Sequence, residues 1–337
     1  MKNILLIGTG GTIASEMTDA GLTPELTPEQ LLKYIPQINT ICNVNCIQVC
    51  AIDSTNMTSS HWLRIAGTIE QAYSGYDGFV ISHGTDTMAY TAAALSYLIQ
   101  NSGKPIVLTG AQKPINSEIT DSKTNLVDAF ICAASDELAG VQIVFNGRII
   151  RGTRARKTRS KSFQAFSSIN YPLLGEIQDE KPVIFIPSPT GICSQPVFYN
   201  RLEPSVSLYK MVPNADAAEL DFILKRKKAV IIESFGVGGI PTDKNRHFFD
   251  VIATNLQNGK TIVMTTQVQN EGSDLAIYNV GNSLKKILNV IEAYDMTTES
   301  VLAKLMWLLP QAEGCTDAPE KIRRLFYTPV ACDILRG

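Results

Sequence analysis

Short apolar runs alternate along this chain with longer stretches in which apolar residues recur every three or four positions. The runs Ile4 to Ile7, Phe79 to Ser82, Ile106 to Thr109 and Val141 to Phe145 are apolar at nearly every position, as expected of strands covered on both faces in a parallel sheet. Helical signals separate them. Thr27, Pro28 and Glu29 supply an N-cap, a first-turn proline and an early carboxylate. Trp62, Ile65, Ile69 and Ala72 predict a helix over 61–74, and a further one is predicted over 90–100. Strands alternating with helices imply a doubly wound, mostly parallel α/β sheet.

The alternation lapses between Pro187 and Pro204, where Pro, Ser and Gly crowd together and no period persists. It resumes with strands at Ala229 to Glu233 and Thr261 to Thr266, a helix near 246–256 and a terminal helix from Thr298 to Leu309. A chain of 337 residues exceeds the size at which a single core stops growing. The expected organisation is therefore a larger N-terminal α/β domain over 1–186, a linker over 187–204 and a smaller C-terminal α/β domain over 205–337.

Composition narrows the partners. A net charge of −2 gives no long-range attraction to nucleic acid or anionic lipid, and no run reaches the roughly 18 apolar residues of a membrane span. The basic cluster from Arg151 to Lys161, read as a loop, lacks the interleaved aromatics of a nucleic-acid surface. Seven scattered cysteines do not resemble a disulfide framework. Cys42, Cys46 and Cys50 recur every fourth residue without a nearby metal-spaced histidine, so they read as small apolar residues. Glycines cut the first apolar run after Ile7, too soon for a signal peptide. A cytoplasmic protein acting on a small neutral or zwitterionic molecule is expected.

Two strand ends present hydroxyls: Gly8-Thr9-Gly10-Gly11-Thr12 and His83-Gly84-Thr85-Asp86-Thr87. Ligands of open α/β sheets bind at the carboxyl ends of strands, so Thr12 and Thr85 are expected to face one crevice. The glycine turn fails the dinucleotide fingerprint, because Ile13 stands at its third glycine and no ribose-binding acid follows at the expected spacing. A hydroxyl on such a turn can instead attack a carbonyl while backbone N–H groups face the developing oxyanion. Its proton then needs a base. His61, His83 and His247 form no serine-type triad, and a basic side chain near Lys157 is the alternative. His83 is expected to satisfy a buried hydrogen bond.

In that order, Thr9-Gly10-Gly11-Thr12-Ile13-Ala14, His83-Gly84-Thr85-Asp86-Thr87-Met88 and Lys157-Thr158 resemble the bacterial-type L-asparaginases, closest to the cytoplasmic (type I) branch. The likeness continues through Pro105 to Gln112, Asn170-Tyr171-Pro172 and Ser234 to Gly238 into the last helix. It implies that Thr12 is the nucleophile, leaving a β-aspartyl ester, and that Thr85, Asp86 and Lys157 activate water or that nucleophile. Asp53, Ser54 and Thr55 match the segment holding the α-carboxylate of L-asparagine, Asp86 its ammonium partner, and Glu299 a second ammonium contact across a subunit boundary. The resemblance further implies a homodimer or homotetramer, with no metal or organic cofactor.

Without the resemblance, Asp53 reads as a turn former and Glu299 as a favourable charge at a helix start. The likeness departs at Leu22, where the family carries a tyrosine on its mobile loop; a leucine there is expected to exclude water. Two alternatives follow: a catalytically silent amino-acid sensor, which the missing tyrosine favours, and the amide-handling subunit of a tRNA-dependent amidotransferase. The latter normally has an extra N-terminal domain, whereas Met1 leads almost directly into the first strand.

Overall fold

A computed structural model describes residues 1–18, 21–188, 195–242, 247–277 and 290–335, and the chain divides into units Met1–Asn200 and Arg201–Gly337. In the first unit the strands are β1 (Lys2–Gly10), β2 (Cys42–Ile52), β3 (Gly78–Ser82), β4 (Pro105–Thr109), β5 (Gly140–Phe145), β6 (Arg148–Arg151), β7 (Gly175–Gln178) and β8 (Lys181–Ile184). They form one sheet in the order β8-β7-β6-β5-β4-β3-β1-β2. From β2 to β5 every neighbouring pair is parallel, while β6, β7 and β8 extend the sheet by antiparallel pairing.

Burial explains the strands. Every residue of β3 and β4 is buried, which is why neither shows alternation. Strand β2 alternates because it is the sheet edge: Cys42, Val44 and Cys46 face the core while Asn43 and Asn45 face solvent. The spacing of Cys42 and Cys46 is thus two pleats of a strand, both on its core side. Helix α1 (Pro28–Leu32) has the expected proline and a capping box between Thr27 and Gln30. Helix α2 (Ser59–Ala72) buries Trp62, Ile65, Ala66 and Ile69. Helix α3 (Met88–Leu98) buries ten of its 11 residues, and α4 (Ser122–Ala133) covers the core cluster of β1, β3, β4 and β5.

Three local expectations need correction. The helix over 90–100 begins two residues earlier and yields at Ile99–Gln100 to a short strand paired with Val197–Phe198. Lys157 is not on an irregular loop: Ala155–Lys157 pairs antiparallel with Phe166–Ser168, and Phe166 anchors this ribbon against Phe145 at a centroid distance of 5.1 Å. The helix opening at Thr298 is longer than expected and is not terminal, as the second unit shows.

That unit is a parallel four-stranded sheet of β9 (Val206–Lys210), β10 (Ala229–Ser234), β11 (Thr261–Thr266) and β12 (Ile291–Glu292), paired in that order. Helices α5 (Ala217–Arg226) and α6 (Phe248–Gln257) pack on it around Leu220, Leu224, Phe248 and Ile252. Helix α7 (Thr298–Ala312) is followed by α8 (Ala318–Tyr327), whose sequence signal is weak because only Ile322 and Phe326 are buried. Among the described residues, no helix is long and apolar enough to cross a membrane.

Candidate active site

The carboxyl ends of β1, β2 and β3 carry the hydroxyl-bearing turns. Strand β1 ends at Gly10 and Gly11 follows it; their φ angles of +96° and +81° favour residues without a Cβ. Gly11 donates its N–H to Ile52 O at 3.0 Å, and Thr12 then opens a short 3-10 turn, Thr12–Ala14. Ile13 and Ala14 are buried beneath it, leaving Thr12 half-buried at the rim. A Cβ on Gly11 would overlap the backbone of Gly84, so the turns bearing Thr12 and Thr85 touch through their glycines.

Gly84 is pressed from its other side by Ser54, whose Oγ and Cβ lie 2.6 and 2.7 Å from where a Cβ on Gly84 would stand. Ser54 is 3% exposed, and its carbonyl accepts a hydrogen bond from Thr87 Oγ1 at 2.8 Å. Asp53 accepts from Thr55 N at 2.8 Å and Thr55 Oγ1 at 2.9 Å through the same oxygen, so it forms the turn that presents Ser54.

Lys157 Nζ donates to Thr85 Oγ1 and to Asp86 Oδ1, both at 2.7 Å. The Lys157 side chain is 17% exposed and that of Asp86 57%. The pair therefore sits at the mouth of the crevice, with the lysine on its inner side. Thr85 Oγ1 also donates to Gln112 Oε1 at 3.3 Å, a contact that the sequence does not announce. Its sequence signals are that Gln112 closes the Pro105 to Gln112 stretch of the family likeness and shortly follows a buried strand.

His83 is wholly buried. Its Nδ1 meets Gly84 O at 2.7 Å and its Nε2 meets Thr91 Oγ1 at 2.9 Å, while Trp62 Nε1 donates to that same hydroxyl at 2.9 Å. A carbonyl only accepts, so Nδ1 carries the proton and Nε2 accepts from Thr91. Burial pulls the imidazole down to about 4, against the smaller opposing effect of the Gly84 hydrogen bond. His83 thus holds the Gly84 carbonyl inward, and the N–H of Thr85 points to the opposite side of that planar trans peptide.

Elsewhere, His61 caps α2 with Thr58, and His247 bonds Asp250 in the second unit. Glu299 also belongs to the second unit, in the first turn of α7, where Thr297 caps the helix by accepting from Ser300 N. The side chain of Leu22 lies outside the described residues. Among those described, no group of three or more His, Cys, Asp or Glu side chains is placed to hold a metal ion.

The arrangement matches known proteins over its whole length. Residues 3–189 fit the family model described as Asparaginase, N-terminal, and residues 205–326 fit the Glutaminase/Asparaginase C-terminal domain. The L-asparaginase of Thermococcus kodakarensis is 34% identical over 98% of both chains, and a solved structure of the thermostable enzyme covers 99% of this chain with a TM-score of 0.90 at 33% identity. L-asparaginase 1 of Escherichia coli is 35% identical over 92% of both chains. A Glutamyl-tRNA(Gln) amidotransferase subunit of Pyrococcus abyssi is 33% identical over 99% of this chain and 77% of its own length. With both halves matched and full-length relatives above 30% identity, the chain belongs to the asparaginase family.

Proposed function

We propose that this protein is an L-asparagine amidohydrolase releasing L-aspartate and ammonia through an ester on Thr12. The observation that carries the reading is the bonded trio of Thr85, Asp86 and Lys157, abutting the glycine turn of Thr12. Asparagine is a zwitterion, so its fixed ends need a hydroxyl and amides on one side and a carboxylate on the other. Ser54, on the turn built by Asp53 and Thr55, takes the α-carboxylate. Asp86 gives one oxygen to Lys157 and keeps the other for the α-ammonium. As the family resemblance implies, Glu299 adds a second carboxylate from a neighbouring subunit of a homodimer or homotetramer.

Binding energy from both ends holds the side-chain amide against the Thr12 hydroxyl. Thr12 Oγ bonds to the amide carbon, its proton leaves with the nitrogen as ammonia, and the C–N bond breaks to give a β-aspartyl ester. Water then attacks that ester, the C–O bond to Thr12 breaks, and aspartate departs with the hydroxyl restored. The Thr85 N–H, turned away from the core, is suited to the carbonyl oxygen as it becomes negative. Thr85 and Lys157 manage the proton of the attacking oxygen, with no metal or organic cofactor. A cytoplasmic location accords with the reduced, half-buried or buried thiols Cys42, Cys46, Cys50 and Cys132.

Ammonia release from asparagine and from glutamine by the wild type, Thr12→Ala and Lys157→Met tests this reading. Asparagine turnover by the wild type and its loss in both variants is expected. Wild type and Thr12→Ala equally inactive but still binding asparagine would favour the sensor reading. Similarity to an amidotransferase subunit gives the test a third outcome: asparagine turnover only with a partner protein and charged tRNA would overturn the stand-alone reading. Light scattering of the purified chain is expected to give the mass of a dimer or tetramer.

A further inference from the structure

Gln112 touches the trio directly, and three hydrogen bonds fix it. Its backbone N–H donates to the Asp121 carboxylate at 3.1 and 3.0 Å, its Nε2 donates to Ser162 O at 3.1 Å, and its Oε1 receives Thr85 Oγ1 at 3.3 Å. Asp121 is itself buried and also accepts from Lys113 N and Asn125 Nδ2, so the backbone of Gln112 is held on a rigid support. Because a main-chain carbonyl only accepts, the bond to Ser162 determines which end of the amide is nitrogen. The amide oxygen therefore faces Thr85.

The consequence concerns one hydrogen. Lys157 Nζ donates to Thr85 Oγ1 at 2.7 Å. A hydroxyl has one hydrogen and two lone pairs; the hydrogen goes to Gln112, one lone pair is taken by Lys157, and the other is left for the crevice. Without Gln112 the hydrogen is free to rotate into the crevice, where it would meet an incoming hydroxyl or water with the wrong polarity.

We infer that Gln112 is a positioning residue of the hydrolytic site: by accepting the Thr85 hydrogen it fixes that hydroxyl as an acceptor toward the attacking group. Through Ser162 it ties this setting to the 158–165 loop, which closes on itself with Thr158 N donating to Ala165 O at 2.8 Å. The inference rests on the roles proposed for Thr85 and Lys157.

The test is steady-state kinetics on asparagine for Gln112→Met and Gln112→Glu, with thermal unfolding and hydrogen exchange alongside. Methionine keeps the volume but removes donor and acceptor; glutamate keeps the acceptor. The 3.3 Å contact is long for a hydroxyl bond, so a fall in kcat of about three- to tenfold is expected for Gln112→Met, with KM within about twofold. Gln112→Glu is expected to stay within about twofold of wild-type kcat, although exchange across 158–165 accelerates in both variants. Wild-type kcat in Gln112→Met, or equal impairment of both variants at unchanged thermal stability, overturns the inference alone. A wild type that releases no ammonia overturns the reading of Thr12 and Lys157, and this inference with it.

Discussion

Replacing Gly84 by alanine is the sharpest perturbation of the proposed site that leaves its functional groups in place. The new Cβ would stand 2.6 Å from Ser54 Oγ, 2.7 Å from Ser54 Cβ and 3.2 Å from Gly11 Cα. Carbon atoms rest about 3.5–4.0 Å apart at best, so the shortfall against Ser54 Cβ is close to 1 Å. Rotating the serine hydroxyl does not relieve it, since Cβ moves only with the backbone, and that backbone is tied to Thr87 Oγ1. The turns bearing Ser54 and Thr85 must therefore separate by about 1 Å, at a cost of about 1–3 kcal/mol for overpacking. A displacement of that size can cost about a hundredfold in rate. Gly67→Ala is the control: it lies within α2, nothing stands within 4 Å of its added Cβ, and it should stabilise by about 0.5–1 kcal/mol with unchanged kinetics. Coupled ammonia-release kinetics and urea unfolding read both. A Gly84→Ala enzyme with kcat/KM within twofold of wild type and unaltered stability would refute the claim that these turns are in rigid contact.

Other expectations concern stability. His83 is held neutral, with its imidazole pulled from 6.5 to about 4, so its contribution is complete above pH 6.5 and is lost as pH falls from there through 4. The span amounts to roughly 3 kcal/mol. Urea unfolding of His83→Gln between pH 4 and 7 should show a flattened dependence, and an unchanged slope would contradict this. Asp128 has the opposite sign: burial, aided by Glu180, pushes its carboxyl up to about 6, so the penalty is absent below 3.8 and complete above 6. Asp128→Asn is expected to stabilise by up to roughly 3 kcal/mol at pH 7.5 and by nothing near pH 3.5; equal effects at both would count against it. Lys304 and Asp333 form an ion pair at 2.6 Å with both side chains fully buried. Asp333→Ala should cost about 3–5 kcal/mol, whereas the double variant Lys304→Met with Asp333→Leu should recover most of that loss. Equal losses in the single and double variants would exclude an unpaired charge as the cause.

What the sequence reveals depends on how many faces of an element are buried. Strands β3 and β4 have both faces covered and read directly as apolar runs, and the glycine turns that end β1 and follow β3 gave both threonines. Strand β2 escaped because Asn43, Asn45 and Gln48 interrupt its run at an exposed edge. Helix α8 escaped because its core side is only Ile322 and Phe326. Contacts distant in the chain are the harder part. Lys157 stands 72 residues beyond Thr85, and only the ribbon with Phe166–Ser168 fixes its approach. Gln112 carries a motif position without a chemical signature, and its meaning arises from the orientation of an amide set by the carbonyl of Ser162. Asp53 shows the converse: its residue type suggested a turn, and its Oδ1 is engaged in one.

The central claim is that Thr12 becomes the acyl carrier while Thr85 and Lys157 serve it. Acid-quenched wild-type enzyme taken during turnover of asparagine, digested and mapped by mass spectrometry, tests this most directly. The account predicts one added aspartyl group on the peptide bearing Thr12, dischargeable by hydroxylamine and missing from Thr12→Ala. An acyl group on another residue, or Thr12→Ala hydrolysing asparagine at the wild-type rate, would contradict it.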